Sequence, residues 1–341
     1  MSNFNPCLCV VFNHPFPQAL PVLDEIYTSR FPTIRYIMPF ERPSDRDDVI
    51  TVYRGSYHHQ GFVTDAASKL RDVDCSHYIF IQDDVLLNPR INAGNLDRVL
   101  GIGPTDGFIP QLRSIDMDIG DWHWMPGILW RMWYPRNLLS GSGVDSMAMM
   151  LRYLPHLDEA EARAARYGVS RPIIRRSDKS LDEASVISMI PHFGTLDRGL
   201  VAELNKIIVA SLYETAPGKN IIEVPYPFAM TAWGADFYIL PKKNLDMFSH
   251  YVGVLAAAAI FAEISVGTAM ILTADNVKTS SDNGTTFDWR WDNERDRMDI
   301  AELVEAFKNE KLIAMHPFKF GMLQKDPNRF QQLMSAIKTV S

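Results

Sequence analysis

Two adjacent carboxylates follow a strongly apolar stretch in the first quarter of the chain. The segment YIFIQDDVLLNP covers residues 78–89, and Asp83 and Asp84 come after four β-branched or aromatic residues and Gln82. Neighbouring carboxylates repel each other unless a cation, a basic residue or water separates them. A divalent ion that also binds phosphate oxygens and water would satisfy both side chains. The alternative is a capped turn, in which one Asp accepts backbone hydrogen bonds and the other faces water.

A third acid lies inside an apolar run. Glu263 stands in VGVLAAAAIFAEISVGTAMIL, residues 252–272, and no residue at helical spacing from it is basic. The run is long enough to span a bilayer, but its acid, its small residues and its lack of a basic flank favour a buried helix. Burial raises the pKa of a carboxyl group toward neutrality, which suits a general base. The alternative is a helix acid that pairs with a Lys or Arg elsewhere.

A histidine and a lysine near the C-terminus are further candidates. His316 ends a predicted strand in KLIAMHPFKFG, and Lys319 follows three residues later. His316 is either a core histidine or a ligand of a metal or pyrophosphate. Lys319 could reach a phosphate as a point charge.

The elements that position these residues follow from an alternating pattern. Strand patterns occur at CLCVVFN, IRYIMPF, VITVYRG and YIFIQ, with helical patterns near residues 20–29 and 62–70. This alternation predicts a parallel sheet with helices on both faces, and such sheets bind ligands at the carboxyl ends of their strands. Six residues follow the predicted strands at this edge: Asn13, His14, Arg54, Gly55, Asp83 and Asp84. We expect them to line one crevice.

The order of the motifs resembles that of nucleotide-sugar glycosyltransferases with the GT-A fold. In that family a DxD-type motif ends a central strand and holds Mn²⁺ or Mg²⁺ against the donor diphosphate, and Asp83 with Asp84 resembles it. Gln82 stands where many members carry the first acid. The family's glycine-containing loop is similar to AWGADFY, with Gly234 and Asp236.

Two later family elements also have counterparts. The acid of the family's xED motif resembles Glu263, and the histidine that completes the metal site resembles His316. The resemblance covers residues 6–90 and 221–320. It implies that Asp83, Asp84 and His316 hold the metal, that Glu263 is the catalytic base, and that Asp236 orients hydroxyl groups. It implies a donor-binding role for these residues: Asn13, His14, Arg54, Gly55, Asp83, Gly234 and Lys319.

The resemblance also implies a fold and a reaction. The fold class is α/β, a GT-A-like, Rossmann-related mixed sheet flanked by helices, with a mainly helical or irregular insertion in the middle. Residues 1–105 would bind the nucleotide sugar, 106–220 would form a variable acceptor-side insertion, and 221–341 would form the catalytic and acceptor half of the same domain. The reaction would be a metal-assisted, inverting sugar transfer from a nucleotide diphosphate to a carbohydrate or glycolipid hydroxyl.

Two other functions stay open. A sugar nucleotidyltransferase also combines a parallel sheet with metal-binding acids, but the loop NHPFPQA after the first strand is not rich in Gly and basic residues. A non-catalytic glycan-binding protein with a GT-A-like fold is favoured by Gln82. The chain lacks G-x-G-x-x-G after its first strand and G-x-x-x-x-G-K-[ST] throughout, which argues against a nicotinamide dehydrogenase and a P-loop nucleotidase.

Composition limits the partners and the compartment. The net charge of −7 argues against general nucleic-acid binding. Three cysteines without metal-ligand spacing predict free thiols in a reducing cytosol, and the N-terminus shows no secretory signal pattern. We therefore expect a cytoplasmic protein, with peripheral binding to the inner face of the membrane as an open alternative. The sequence does not predict the oligomeric state.

The middle of the chain carries an aromatic cluster and a basic cluster. The aromatic residues are Trp122, Trp124, Trp130, Trp133 and Tyr134. They are either core residues, a platform for an acceptor sugar, or a membrane-facing patch. The basic residues are Arg171, Arg175, Arg176 and Lys179. They form either a solvated face or a site for an anionic acceptor or lipid headgroup.

Overall fold

The structure is a computed structural model that describes residues 4–41, 46–118, 150–175, 221–231, 234–258, 260–289, 300–318, 320 and 326–340. The strands are β1 (Pro6–Val11), β2 (Ile34–Pro39), β3 (Val49–Val52), β4 (His77–Gln82), β5 (Leu86–Leu87), β6 (Asp106–Phe108), β7 (Arg113–Ser114), β8 (Asp116–Asp118), β9 (Ile173–Arg175), β10 (Ile221–Glu223), β11 (Ala229–Met230), β12 (Phe237–Pro241), β13 (Asn276–Lys278), β14 (Thr286–Trp289) and β15 (Leu312–His316). The α-helices are α1 (Leu20–Tyr27), α2 (Phe62–Arg71), α3 (Leu96–Leu100), α4 (Leu157–Ala165), α5 (Leu245–Ala257), α6 (Ala262–Thr273), α7 (Ser280–Asn283), α8 (Ile300–Phe307) and α9 (Pro327–Val340).

The chain divides into two compact units. The first comprises Met1–Gln111, Thr231–Ser249 and Thr273–Ser341, and the second comprises Leu112–Met230 and His250–Leu272. The predicted division by function into 1–105, 106–220 and 221–341 stays a prediction.

A seven-stranded mixed sheet forms the centre of the first unit. Its strand order is β13-β6-β12-β4-β1-β2-β3. Strands β1 to β4 run parallel, whereas β12 runs antiparallel to β4 and β6. The chain leaves this sheet after β6 and returns at β12, and the long segment between them forms most of the second unit. The predicted α/β class is therefore confirmed: a mixed sheet flanked by helices, with an insertion in the middle.

The central strands are buried on both faces, as expected for parallel strands between helices. Every residue of β1 and β4 is buried. On one face, Val10 belongs to a single core cluster with Leu23 of α1 and Phe307 of α8. On the other face, Phe80 of β4 stacks on Tyr238 of β12 with ring centroids 4.8 Å apart. Burial of alternate residues on opposite faces fixes the register of these strands, because a slip by one residue would exchange the two faces.

A second sheet of the first unit joins distant parts of the chain. Its strand order is β14-β15-β5. Met315 of β15 lies opposite Leu86 of the antiparallel β5, and His316 lies opposite Trp289 of the parallel β14. Because only residues 83–85 separate β4 from β5, this sheet brings the end of β15 to the end of β4.

The described part of the second unit contains two small sheets and helices. One sheet has the order β10-β9-β8, and the other pairs β11 with β7. The apolar run predicted as one buried helix forms two, since α5 ends at Ala257 and α6 begins at Ala262. No helix in the described part of the chain combines the length and apolar character needed to cross a bilayer.

All three cysteines are buried free thiols. Cys7 and Cys9 lie on the same face of β1, with their sulfur atoms 3.8 Å apart. Burial raises the pKa of the Cys9 thiol well above its usual value and raises that of Cys75 to about 11. Because the thiolate is the reactive form, the Cys9 and Cys75 thiols are unreactive at neutral pH.

Candidate functional site

Three candidate residues from distant parts of the chain meet in the first unit. Nε2 of His316 lies 3.2 Å from Oδ1 of Asp84 and 3.9 Å from Oδ2 of Asp236. All three side chains are largely buried, with exposed fractions of 17%, 11% and 18% in that order. An imidazole between two carboxylates, shielded from bulk water, can hold a cation or move a proton.

The backbone on both sides of Asp84 is held by other strands. The amide of Asp83 donates a hydrogen bond of 2.9 Å to the carbonyl of Val11, at the end of β1. The carbonyl of Asp84 accepts one of 2.6 Å from the amide of Phe318, just beyond β15. The aspartates therefore lie where the carboxyl end of β4 meets the end of β15.

Asp236 lies at the same edge of the sheet, but immediately before a strand that runs antiparallel to β4. A 3₁₀ turn, Gly234–Asp236, leads directly into β12. Because β12 is antiparallel to β4 and pairs Phe237 with Ile81, Asp236 enters the sheet beside Gln82. The sequence predicted Asp236 as a residue that orients hydroxyl groups, and its closeness to His316 also makes it a candidate ligand.

The loop after Asp84 is braced by two residues near the end of α1. Tyr27 donates from its hydroxyl to the carbonyl of Val85 at 2.9 Å. Arg30 donates to the carbonyls of Ile91 at 2.8 Å and Asn88 at 2.6 Å. Burial raises the pKa of Tyr27 to about 12 and lowers that of Arg30 to about 10. Both side chains therefore keep their usual protonation at neutral pH, and their hydrogen bonds persist.

Asn88 ties this loop to the segment that precedes β15. Its buried carboxamide donates to the carbonyls of Phe307, Asn309 and Leu312 at 3.1, 3.4 and 3.0 Å, and its oxygen accepts from the amide of Arg90 at 3.1 Å. These bonds fix the start of the strand that ends in His316. No local pattern in the sequence points to Asn88, because the three carbonyls that its side chain bonds lie more than two hundred residues away.

Two further side chains, those of Trp289 and Gln82, lie next to the candidate site residues. The ring of Trp289 contacts that of His316 edge-on, with centroids 5.3 Å apart. Gln82 is 3% exposed, and its Oε1 atom accepts no hydrogen bond from any described residue. A buried acceptor of this kind is satisfied by water or by a ligand. No sequence pattern points to Trp289, because its position depends on the pairing of β14 with β15.

The side chains of Asp84, Asp236 and His316 fit a divalent cation only if a bound substrate supplies further oxygen atoms to the ion. Ligands about 2.1 Å from one octahedral ion lie about 3 Å apart, close to the separation of His316 and Asp84. Within the described ranges, however, no group of three or more His, Cys, Asp or Glu side chains is placed to hold a metal ion. Mg²⁺ in phosphate-transfer sites characteristically uses one or two carboxylates and takes its remaining ligands from phosphates and water.

Other predicted donor-binding residues lie at the same edge of the sheet. Asn13 and His14 follow β1, which lies beside β4, and His14 is exposed. Arg54 follows β3 and donates from Nε to both oxygens of Asp65 in α2, at 3.0 and 2.9 Å. Gly55 has an extended backbone and open space around its α-carbon, so neither conformation nor packing requires glycine there.

The remaining predicted residues lie in the second unit or outside the described residues. Glu263 is half-buried in the first turn of α6, within the second unit. Arg171 pairs with Glu161 at 2.6 Å, and Arg175 pairs with Asp116, so acids already bind both of these cations. The following predicted residues fall outside the described ranges: Trp122, Trp124, Trp130, Trp133, Tyr134, Arg176, Lys179 and Lys319.

Neither protein-family models nor curated protein sequences match this chain.

Proposed function

We propose that the protein is a metal-assisted glycosyltransferase that moves a sugar from a nucleotide diphosphate to a carbohydrate or glycolipid hydroxyl. The observation that supports this most directly is the meeting of Asp84, Asp236 and His316 at the end of β4. Ligands of α/β sheets bind at this edge. A cytoplasmic location, with the inner face of the membrane as the alternative, belongs to the same proposal.

Asp84 and His316 are the proposed metal-binding side chains, with Asp83 and Asp236 beside them. A bound Mn²⁺ or Mg²⁺ would offset the charge that develops on the leaving diphosphate. Burial of these side chains lowers the local dielectric and limits access of water, which disfavours hydrolysis of the donor. Glu263 is the proposed base that accepts the proton of the acceptor hydroxyl, and that assignment is tested separately.

A metal-independent reaction at the same edge is the second candidate. The 3.2 Å contact between Nε2 of His316 and Asp84 is within reach of a hydrogen bond, so the imidazole could accept a proton while Asp84 stabilises the imidazolium. The two candidates differ in one measurable respect, which is the effect of a chelator.

The test incubates the full chain with a panel of nucleotide sugars and acceptor sugars, with Mn²⁺ or with EDTA, and follows release of free nucleoside diphosphate. We expect release that EDTA stops, that Asp84→Ala abolishes and that Asp83→Ala reduces less severely. Asp246→Ala is the matched control, because Asp246 is an exposed acid of the same unit that pairs with Arg71.

Three results would contradict the proposal in different ways. Release that is indifferent to EDTA and retained in Asp84→Ala would exclude the metal role of Asp84. Consumption of a nucleoside triphosphate and a sugar phosphate, with pyrophosphate as product, would identify a sugar nucleotidyltransferase. Binding of glycans without any release would identify a glycan-binding protein.

A further inference from the structure

Two large aromatic side chains project from the carboxyl edge of the main sheet. Phe40 follows β2 and is 56% exposed, and Tyr53 follows β3 and is 72% exposed. Their ring centroids are 6.4 Å apart and their planes meet at 68°. Among the described residues, the other large hydrophobic side chains that are exposed are Tyr153 and Met247. Single exposed apolar residues are ordinary, whereas two rings in contact at a ligand-binding edge are not.

The backbone of Phe40 is strained. Its φ of 53° lies in the left-handed region, and no other non-glycine residue in the described ranges has a positive φ. The amide of Phe40 donates to the carbonyl of Val52 at 2.9 Å, which holds the turn in place. Glycine would adopt this conformation without penalty. A ring that is more than half exposed gains little from burial to offset this strain, and such strain concentrates at ligand sites.

The position of the pair along the sheet edge defines what could reach it. Strand β1 lies between β4 and β2, and β3 lies beyond β2. At a strand spacing of about 4.8 Å, Phe40 lies about 10 Å and Tyr53 about 15 Å from the end of β4, measured across the strands. Asn13 and His14, after β1, lie between the pair and Asp84. A molecule with a flat ring at one end and phosphates at the other would therefore follow this edge.

We infer that Phe40 and Tyr53 bind the flat heteroaromatic ring of a nucleotide by stacking. The choice of a nucleotide rests on the proposed function, whereas the aromatic site itself rests on exposure, ring contact and strain. Base–aromatic stacking tolerates different bases, because every base offers a π face. The pair therefore supplies affinity for the base end of the ligand, independently of any metal at the phosphate end.

The experiment measures binding without metal and without sugar. The full chain in EDTA is titrated by calorimetry with UMP, CMP, AMP, GMP and dTMP in turn. We expect Tyr53→Ala to weaken binding of the preferred nucleotide by about 5- to 150-fold, the range for losing one stacking ring. Tyr53→Phe keeps the ring and should retain the affinity. Tyr153→Ala, which removes another exposed tyrosine, in the second unit, is the matched control and should change nothing.

A second variant separates binding from folding. Phe40→Gly removes a ring and relieves the strained φ, so we expect weaker binding with no decrease in melting temperature. The inference is overturned if no nucleotide binds, or if Tyr53→Ala and Phe40→Gly bind as tightly as the parent. It is equally overturned if these variants change the oligomeric state and leave binding unchanged, since the rings would then form a protein contact.

Different experimental results would overturn the aromatic site and the proposed function. Ring-dependent nucleotide binding without any sugar transfer would support the aromatic site and overturn the transferase proposal. Sugar transfer in which Tyr53→Ala leaves the Michaelis constant of the donor unchanged would overturn the aromatic site and support the transferase.

Discussion

Replacement of Asn88 by alanine should destabilise the first unit more than the loss of so small a side chain suggests. The carboxamide of Asn88 is buried and donates to carbonyls at both ends of the segment between α8 and β15. Alanine would remove this donor from those carbonyls and would remove the acceptor of the amide of Arg90. The change therefore affects the segment that delivers His316 to Asp84.

The magnitude follows from the hydrogen bonds. The two N–H groups make their shorter contacts with Leu312 at 3.0 Å and Phe307 at 3.1 Å, and the oxygen accepts one bond from Arg90 at 3.1 Å. At about 0.5–1.5 kcal/mol for each bond, Asn88→Ala should lower the free energy of unfolding by about 2–4 kcal/mol. Asn88→Asp should cost at least as much, because a carboxylate would face carbonyl oxygens that need a donor.

Chemical denaturation followed by circular dichroism measures the loss, and Asn244→Ala is the matched control. Asn244 is also buried, but it donates one hydrogen bond, 2.7 Å long, to the carbonyl of Thr273. Its replacement should cost about 1 kcal/mol. Equal losses in the two alanine variants, or an Asn88→Asp variant as stable as the parent, would refute the reasoning.

Three further predictions concern other parts of the molecule. Glu263→Gln should lower turnover by about 10²- to 10⁴-fold with unchanged nucleotide affinity, and kinetics with normal turnover would place the base elsewhere. A hydrogen bond from Arg46 holds the pKa of Asp24 below its usual value, so this contact stabilises the fold above about pH 4 and is lost as acid protonates Asp24. The unfolding free energies of the parent and Arg46→Met should accordingly differ at pH 7 and converge in acid, and a constant difference would contradict this. Trp122→Ala and Trp124→Ala should raise the Michaelis constant of the acceptor, and a change confined to the donor would count against an acceptor platform.

The parallel half of the main sheet could be predicted from the sequence. Strands β1 to β4 and helices α1 and α2 form where the alternation of apolar strand and helix patterns placed them. The residues at which the strands end were less predictable. The pattern VITVYRG extended the third strand through Tyr53, whereas β3 ends at Val52 and the tyrosine ring is exposed. A β-branched or aromatic run shows that a strand forms, but pairing with the neighbouring strand decides where it stops.

The rest of the candidate site depends on tertiary pairing. β5 has two residues and β14 has four, too few for a period-two pattern to be distinctive. The order of the motifs suggested that His316 and Asp84 act together, and the structure brings them within 3.2 Å. Their roles stay predictions. The break between α5 and α6 was also missed, because no proline marks the end of the first helix and apolar composition alone does not locate a helix end.

The bonds between Asn88 and the segment before β15 have a consequence for how the protein is made. Leu312 is synthesised 224 residues after Asn88, which takes roughly 10–45 s at ordinary rates of translation. During that interval Asn88 lacks its carbonyl partners and β5 lacks the strand it pairs with, so an apolar surface of the nascent chain stays uncovered. A chain that ends before β15 would keep that surface permanently, and we expect it to aggregate or to bind chaperones rather than fold. The candidate site is therefore completed only after β15 has been synthesised.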